Sequence, residues 1–480
     1  MKPVCRAAAV RELDRRIIED QGLPSLALME AAVSGLAHGL LEHVPAIRDA
    51  SVCVACGPGN NGGDGWALAR WLHGWGIDVS VWPVLPPATD DARVMAEIAR
   101  RIGVREVAAP SPETWIIDAL FGTGLSRPLD GVAAEATARF AVHRVIAVDL
   151  PSGLDADTGQ WRGPAFDAVA TLTLGRWKPA LFVGEGPLSC GETRLIDIGL
   201  DAVGQPDDAA AWLLEPSDVR WPARRSTDHK GRSGHVLVVA GSVAMAGAAI
   251  LACEGALAAG AGLVTLRVPP AAVPRLSALP PEVMVVTDDL PFVQPASYDA
   301  VVVGPGLGGG QPLLPEVRDI LMRWWAEAAV PLVFDADALR CTTVTTTPHP
   351  RVLTPHPGEA GRLLGISARD VEADRLSALE RLRDRGTVLL KGRHTLVADP
   401  DRITINPTGS PALATGGSGD VLAGVVGALL GRGVPAGPAA RFGAYVHGAT
   451  GDALWADRRV GWRARDIASR LPDVANAFVA

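Results

Sequence analysis

The chain is short of cysteine and of clustered basic charge, and each shortage closes off a class of protein. Its six cysteines stand at 5, 53, 56, 190, 253 and 341. Only Cys53 and Cys56 are near neighbours, and a lone C-x-x-C without a second pair makes a poor zinc site. In SVCVACGPG both thiols fall in a stretch that reads as a buried strand, so burial is the simpler expectation. Such scatter implies no disulfide framework, which fits a reducing compartment. Lys and Arg number 45 against 53 Asp and Glu, a formal charge of −8. With no basic cluster to override it, that balance offers little to nucleic acid or to an anionic membrane. The opening MKPVCRAAAVRELDRR has no apolar core of the kind a secretory signal needs. Residues 247–266 are apolar enough to imitate a membrane span. Glu254, the glycines and a β-branched ending make a buried helix followed by a strand the better reading. A cytoplasmic protein, bound to neither membrane nor nucleic acid, is expected.

What the chain does have is alternation. Residues 7–42 read as helical with a break at QGLPS, followed by strand 50–57, helix 63–76 and strand 77–82. Helix 90–102, strand 115–119, helix 132–141 and strand 144–149 continue the pattern, and AVATLTL and ETRLIDIGL close it near residue 200. Near-continuous apolar strands interleaved with helices imply a parallel sheet covered on both faces. Residues 201–233 then become polar, Pro-bearing and aperiodic, which marks a linker. The expected domains are 1–211 and 212–480. A second alternating series runs from HVLVVAG (235–241) through DAVVVGPGLG, PLVFDADAL, RVLTP and TVLLKG, and ends on helices 419–431 and 437–457. The halves share no motifs, so the chain reads as a fusion of two α/β domains.

In the second half, TGGSGDVLAG bares the backbone with Gly416, Gly417 and Gly419 where a helix starts. Amides there point outward and, with the helix dipole, can seat a phosphate. Asp420 in the first turn could take a proton from a hydroxyl held beside that phosphate; alternatively it only complements the dipole, and the glycines only make a turn. Further bare or polar strand ends accumulate around this knot: KGRHT (391–395), NPTG (406–409), TPHPGE (354–359), GPGLG (304–308) and GSVAMAGAA (241–249). Asp335 and Asp337 in DADAL are strand-end carboxylates whose part in holding a metal stays open.

In the first half, CGPGNNGGDG (56–65) stands between a strand and a helix with Asn60, Asn61 and Asp64 as short polar arms. Its spacing and its missing lysine exclude both a dinucleotide fingerprint and a P-loop. Two other strand ends carry carboxylates, Asp118 in IIDALFGTGLSRP and Asp149 in IAVDLPSGLDAD. Buried carboxylates are costly unless paired. Asn61, Asp118 and Ser152 offer only oxygen ligands, which suits a hard cation.

Taken in order, GS…GA, GPGLG, DADAL, TPHPGE, KGxxT, NPTG and GGSGD closely resemble the ADP-dependent NAD(P)H-hydrate dehydratases, over residues 217–480. That resemblance implies a ribokinase-like αβα fold. It places Ala248, Gly306, His356 and Asp420 against the hydrated nicotinamide nucleotide. Lys391, Gly392, Arg393, His394, Thr395 and Gly419 would hold ADP, with Mg²⁺ assisting and Asp420 as the base. The first half resembles the NAD(P)H-hydrate epimerases, a Rossmann-like αβα fold, over residues 1 to about 211. There Asn61, Asp118 and Ser152 would bind K⁺. Asn60, Asn61, Gly62, Gly63, Asp64, Gly122, Thr123, Gly124, Leu125, Ser126, Arg127, Pro128 and Asp149 would hold the hydrated nucleotide, with Asp149 as acid and base. Arg127 departs from the family pattern, and Lys178 in GRWKPALF reads equally well as a surface cation. Together the resemblances imply a bifunctional repair enzyme for NADHX and NADPHX, in a homo-oligomer. Two alternatives stay open: a vitamin or sugar kinase with an N-terminal regulatory domain, and a first half that only binds a ligand or a partner. The choice of ADP over ATP rests on the resemblance alone.

Overall fold

The computed structural model describes residues 1–479 except 126, 165, 201–208, 225–232 and 346. The chain divides into two units, Lys2–Ala211 and Trp212–Ala480, with Met1 counted in the second. Both are α/β sheets, the first parallel and the second mostly so, as the alternation predicts.

The first unit's sheet runs, edge to edge, through Arg105–Glu106, Val79–Pro83, Val52–Cys56, Trp115–Ala119, Val145–Val148, Ala168–Leu174 and Glu192–Ile196. Every pairing is parallel. Val52–Cys56 is buried along its whole length, which explains why its sequence shows no alternation. This strand pairs with Val79–Pro83 on one side and Trp115–Ala119 on the other, so the chain order reverses there. The loops leaving Cys56 and Ala119 therefore splay apart at a topological switch point, where open α/β sheets bind ligands. The following helix begins at Asn60, not at residue 63: NNGGDG is its first turn and a half.

The second unit orders its strands Ala211–Leu213, Ile403–Ile405, Leu396–Ala398, Thr387–Leu390, Arg351–Leu353, Leu332–Phe334, Ala300–Val303, His235–Val239, Leu263–Arg267 and Val283–Val286. The run from Val283–Val286 to Thr387–Leu390 is parallel, and the next two pairings are antiparallel. The switch point lies between His235–Val239 and Ala300–Val303, where the GS and GPGLG loops emerge. Helices Ala246–Ala258 and Ser418–Gly431 pack into the main core. Two readings of the sequence change here. The aperiodic stretch contains a sheet strand, Ala211–Leu213, and the last element is a further helix, Ala464–Asn476, which carries Pro472. The apolar 247–266 segment forms helix Ala246–Ala258 and strand Leu263–Arg267, and among the described residues no helix is long and apolar enough to cross a membrane. All six cysteines are buried.

Candidate active sites

In the second unit, a row of charges lies past the ends of the neighbouring strands Leu332–Phe334, Arg351–Leu353 and Thr387–Leu390. Strand Leu332–Phe334 ends on Asp335, which is 1% exposed, and Lys391 follows strand Thr387–Leu390. The Lys391 Nζ donates to Asp335 Oδ1 at 2.8 Å, and the Thr354 hydroxyl donates to the same oxygen at 2.7 Å. Glu359 lies 3.9 Å from the same ammonium. Burial by itself would lower the Lys391 pKa, but Asp335 and Glu359 outweigh it and hold the ammonium charged. Asp420 lies in the first turn of helix Ser418–Gly431. Burial, then the neighbouring charge of Asp335, pushes its carboxyl up to about 7, against the pull of Lys391. A carboxylate poised near neutrality at a helix N-terminus is suited to taking and returning a proton.

A cavity of about 690 Å³ opens on one side of this row. Lys391, Gly392, Arg393, His394, Thr395 and Gly419 all line it, so the KGRHT and GGSGD motifs meet in space as well as in chemistry. A Cβ on Gly419 would stand 3.2 Å from Lys391 Nζ, so the bare amide turn and the ammonium face one another. The remaining predicted residues, Ala248, Gly306, His356 and Asp420, are not among those that line this cavity. Gly306 takes φ +63°, and a Cβ there would approach Ala248 Cβ to 2.9 Å, which joins the GPGLG and GSVAMAGAA loops. His356 caps helix Pro357–Leu364: its ring Nδ1 accepts from the Gly358 amide at 3.0 Å, and its own amide donates to Glu359 at 2.9 Å. Asp337 accepts from the Gly308 amide at 2.8 Å and so holds the glycine loop, while Asp335 serves Lys391. His447, in mid-helix, also lines the cavity and carries no motif. Its Nε2 donates to the Ser418 carbonyl at 3.1 Å. Burial lowers its pKa to about 4, so it is a neutral prop for the glycine turn.

In the first unit, a cavity of about 510 Å³ lies at the switch point. Asn60, Asn61, Asp64, Gly122, Thr123, Gly124 and Asp149 line it. Gly62, Gly63, Leu125, Arg127 and Pro128 are not among the lining residues, Arg127 is exposed, and Ser126 lies outside the described residues. Asp149 ends strand Val145–Val148 at φ +67°, a left-handed backbone that a short polar side chain tolerates at some cost. Its carboxylate accepts from the Thr123 amide at 3.3 Å, Thr173 Oγ1 at 3.2 Å, the Leu174 amide at 3.2 Å and Lys178 Nζ at 2.5 Å. Lys178 corrects the sequence reading. It is 1% exposed, pinned also to the Leu174 carbonyl at 2.6 Å, and is a buried counter-ion rather than a surface cation. Three further aspartates, Asp14, Asp64 and Asp91, line the cavity. Burial and the Asp149 charge raise Asp14 to about 6 against Lys178, and burial with Asp149 and Asp14 raises Asp64 well above its usual range. Lys178 is thus the buried cation of a cavity rich in carboxyl groups. Asp14 comes from the N-terminal helix Ala7–Arg15, which the sequence marks only as helical.

Asp118 and Ser152 meet directly. Asp118 accepts from the Ser152 hydroxyl and amide, each at 2.7 Å, and from the Leu120 amide at 3.2 Å. Burial pushes its carboxyl up to about 6 despite these bonds. Asn61 stands close by: a Cβ on Gly122 would come within 3.1 Å of Asn61 Oδ1 and 2.7 Å of Asp149 Oδ2. Among the described residues, the Asn61 amide nitrogen is buried without a partner.

Comparison with known proteins covers both units. The family model described as NAD(P)H-hydrate dehydratase matches residues 236–473, and the one described as the YjeF-related protein N-terminus matches residues 25–180. The bifunctional NAD(P)H-hydrate repair enzyme Nnr of Moorella thermoacetica is 37% identical, with 98% of this chain and 96% of that one covered. Its namesake in Escherichia coli K12 is 36% identical over 89% and 85% of the two chains. Among solved structures, the ADP/ATP-dependent NAD(P)H-hydrate dehydratase of Bacillus subtilis, co-crystallised with ATP and Mg²⁺, superposes with a TM-score of 0.51 at 32% identity. That superposition covers 56% of this chain and 99% of the other. With more than a third of its residues identical along nearly its whole length to such enzymes, the chain belongs to the family of bifunctional NAD(P)H-hydrate repair enzymes.

Proposed function

We propose that the two units act in turn on one damaged cofactor. The first interconverts the R and S hydrates of NADH and NADPH, and the second dehydrates the S hydrate with ADP, giving NAD(P)H, AMP and phosphate. The observation that carries the reading is Asp420: a carboxyl poised near neutrality, on the turn whose bare amides face Lys391. Hydroxide is a poor leaving group. Asp420 takes the proton of the C6 hydroxyl, and the freed oxygen attacks the terminal phosphorus of ADP, whose bond to the bridging oxygen breaks to release AMP. The C6–O bond then breaks, phosphate departs with its electron pair, the N1 lone pair forms the C6–N1 double bond, and loss of a C5 proton restores the dihydropyridine. Lys391 and the Gly419 amide turn neutralise the charge that builds on the transferred phosphoryl group.

Mg²⁺ fits this site only as an ion carried largely by the phosphates. Among the described residues no cluster of three or more His, Cys, Asp or Glu is set to hold a metal, and Asp335 is already engaged by Lys391. Glu359 is engaged too, by the His356 amide and Lys391, so Asp420 is the carboxylate left to face such an ion, and Mg²⁺ at nucleotide sites commonly takes only one or two carboxylates beside the phosphates. When bound it supplies charge neutralisation on the phosphates. K⁺ fits the first unit better. Asp118 is fully buried and accepts only from neutral donors, so its charge lacks a counter-ion among the described residues. Asn61, Asp118 and Ser152 would hold the cation, which supplies that missing charge beside the nucleotide. Asp149, held by Lys178, is the acid and base of the epimerisation.

The test is incubation of S-hydrated NADH with ADP. Return of the near-UV absorbance of NADH, with one AMP and one phosphate per NADH, supports the reading. A stable phosphorylated hydrate with no return of absorbance overturns it.

A further inference from the structure

A second cavity of the C-terminal unit, about 460 Å³, is claimed by none of the roles above. It meets the charged row from the side of Glu359, whereas the KGRHT cavity meets it from the side of Lys391. Three arginines from three different elements line it: Arg318 on helix Pro315–Glu327, Arg340 on the turn Ala336–Cys341, and Arg362 on helix Pro357–Leu364. Among the described residues Arg340 and Arg362 have no hydrogen-bond or ion-pair partner, and Arg318 has only a 3.9 Å approach to its neighbour Asp319. The two carboxylates on the same wall are already occupied. Asp337 accepts from the Gly308 amide, and Glu359 accepts from the His356 amide and faces Lys391. Three guanidiniums lining one concavity repel one another unless an anion joins them, and the planar fork of arginine suits phosphate. The cavity also continues from the glycine loop. Gly310 and Gln311 form part of its wall, a few residues on from Gly306, which sits against Ala248.

We infer that this arginine-lined cavity seats the phosphates of the non-reacting, adenylate half of the hydrated dinucleotide, while the nicotinamide half reaches toward Gly306, His356 and Asp420. The inference rests on the proposed dehydratase reading. It places substrate and ADP on opposite sides of the Asp335–Lys391–Glu359 row, so that two anionic nucleotides are held apart and meet only at the transferred phosphoryl group. Phosphate contacts made equally in the ground state and the transition state lower KM and leave kcat alone.

The test is the double variant Arg340→Gln, Arg362→Gln, both positions being exposed, with its melting temperature checked against the parent protein. KM for the hydrated dinucleotides should rise about tenfold or more, as loss of charge-assisted phosphate contacts requires, with kcat and the KM for ADP unchanged. Hydrated reduced nicotinamide mononucleotide, which lacks the adenylate half, should react equally well with parent and variant. A larger rise for hydrated NADPH than for hydrated NADH assigns the contact to the 2′-phosphate, and equal rises assign it to the pyrophosphate. Unchanged KM for both dinucleotides, or an equal loss with the mononucleotide, overturns the inference. If the parent protein dehydrates no hydrate at all, the dehydratase reading is what fails. Calorimetric titration with 2′-phospho-ADP-ribose then judges the cavity alone: binding lost in the double variant supports it, and equal binding or none to the parent overturns it.

Discussion

Asp420→Asn should make the protein more stable and almost inactive, and the two effects should separate with pH. The carboxyl rises from an ordinary 3.8 to about 7, chiefly through burial. At about 1.4 kcal/mol for each pKa unit, that rise corresponds to at most about 4 kcal/mol. The sign follows from linkage. Below about pH 4 the group is protonated in folded and unfolded chains alike, and nothing is lost. Between about pH 4 and pH 7 the unfolded chain releases its proton first, so the folded state loses stability as pH rises, and above pH 7 the loss is complete. Asparagine has the same shape and no proton to lose, so the variant escapes the loss. Calorimetry should show the ADP-sensitive melting transition shifted up by several degrees at pH 8 and coinciding with the parent's near pH 4. Dehydration of the S hydrate should fall by roughly 10²–10⁴-fold, the usual contribution of a positioned base. ADP binding should persist, because Lys391–Thr395 are untouched. In the parent, kcat/KM should climb with pH to a plateau above about 7. A variant that is less stable at pH 8, or that keeps activity within tenfold of the parent, refutes the argument from burial.

Other substitutions test the first unit. Asp149→Asn suits the left-handed backbone at φ +67°, so the fold should hold while R/S exchange without ADP drops by roughly 10²-fold or more; dehydration of pure S hydrate should be unchanged. Lys178→Met leaves Asp149 buried with no cation, a class of change that costs roughly 3–5 kcal/mol, and urea unfolding monitored on the first unit should record it together with lost exchange. Gly122→Ala puts a methyl 2.7 Å from Asp149 Oδ2, so exchange should fall at least about tenfold with little change in secondary structure by circular dichroism.

The parts of this molecule that could be read from sequence are those whose chemistry is local. The GGSGD turn, the KGRHT cation and the strand-end Asp118 and Asp149 each carry their meaning within a few residues, because strand ends at a switch point must open into loops. Alternating apolar runs likewise located most strands. What escaped depends on contacts across the chain. Lys178 sits in a turn motif with no pattern to say that its ammonium points inward; only the approach of Asp149, 29 residues away in sequence, buries it. Asp14 and His447 lie within helices whose periodicity speaks of packing, and their roles come from the sheet ends they meet. Asn60 and Asn61 looked like loop residues because glycines follow them, yet the helix opens there since tertiary packing overrides the poor propensity of NNGGDG. Helix Ala464–Asn476 was obscured by Pro472.

The central claim is that both units serve one metabolite, and the most direct measurement starts from the R hydrate of NADH alone, with ADP, Mg²⁺ and K⁺ present. The account predicts full return of NADH absorbance, matched by AMP and phosphate, in the parent protein, and none in Asp149→Asn until S hydrate is supplied. Rapid return with Asp149→Asn, or no return with the parent protein while S hydrate is consumed normally, would contradict it.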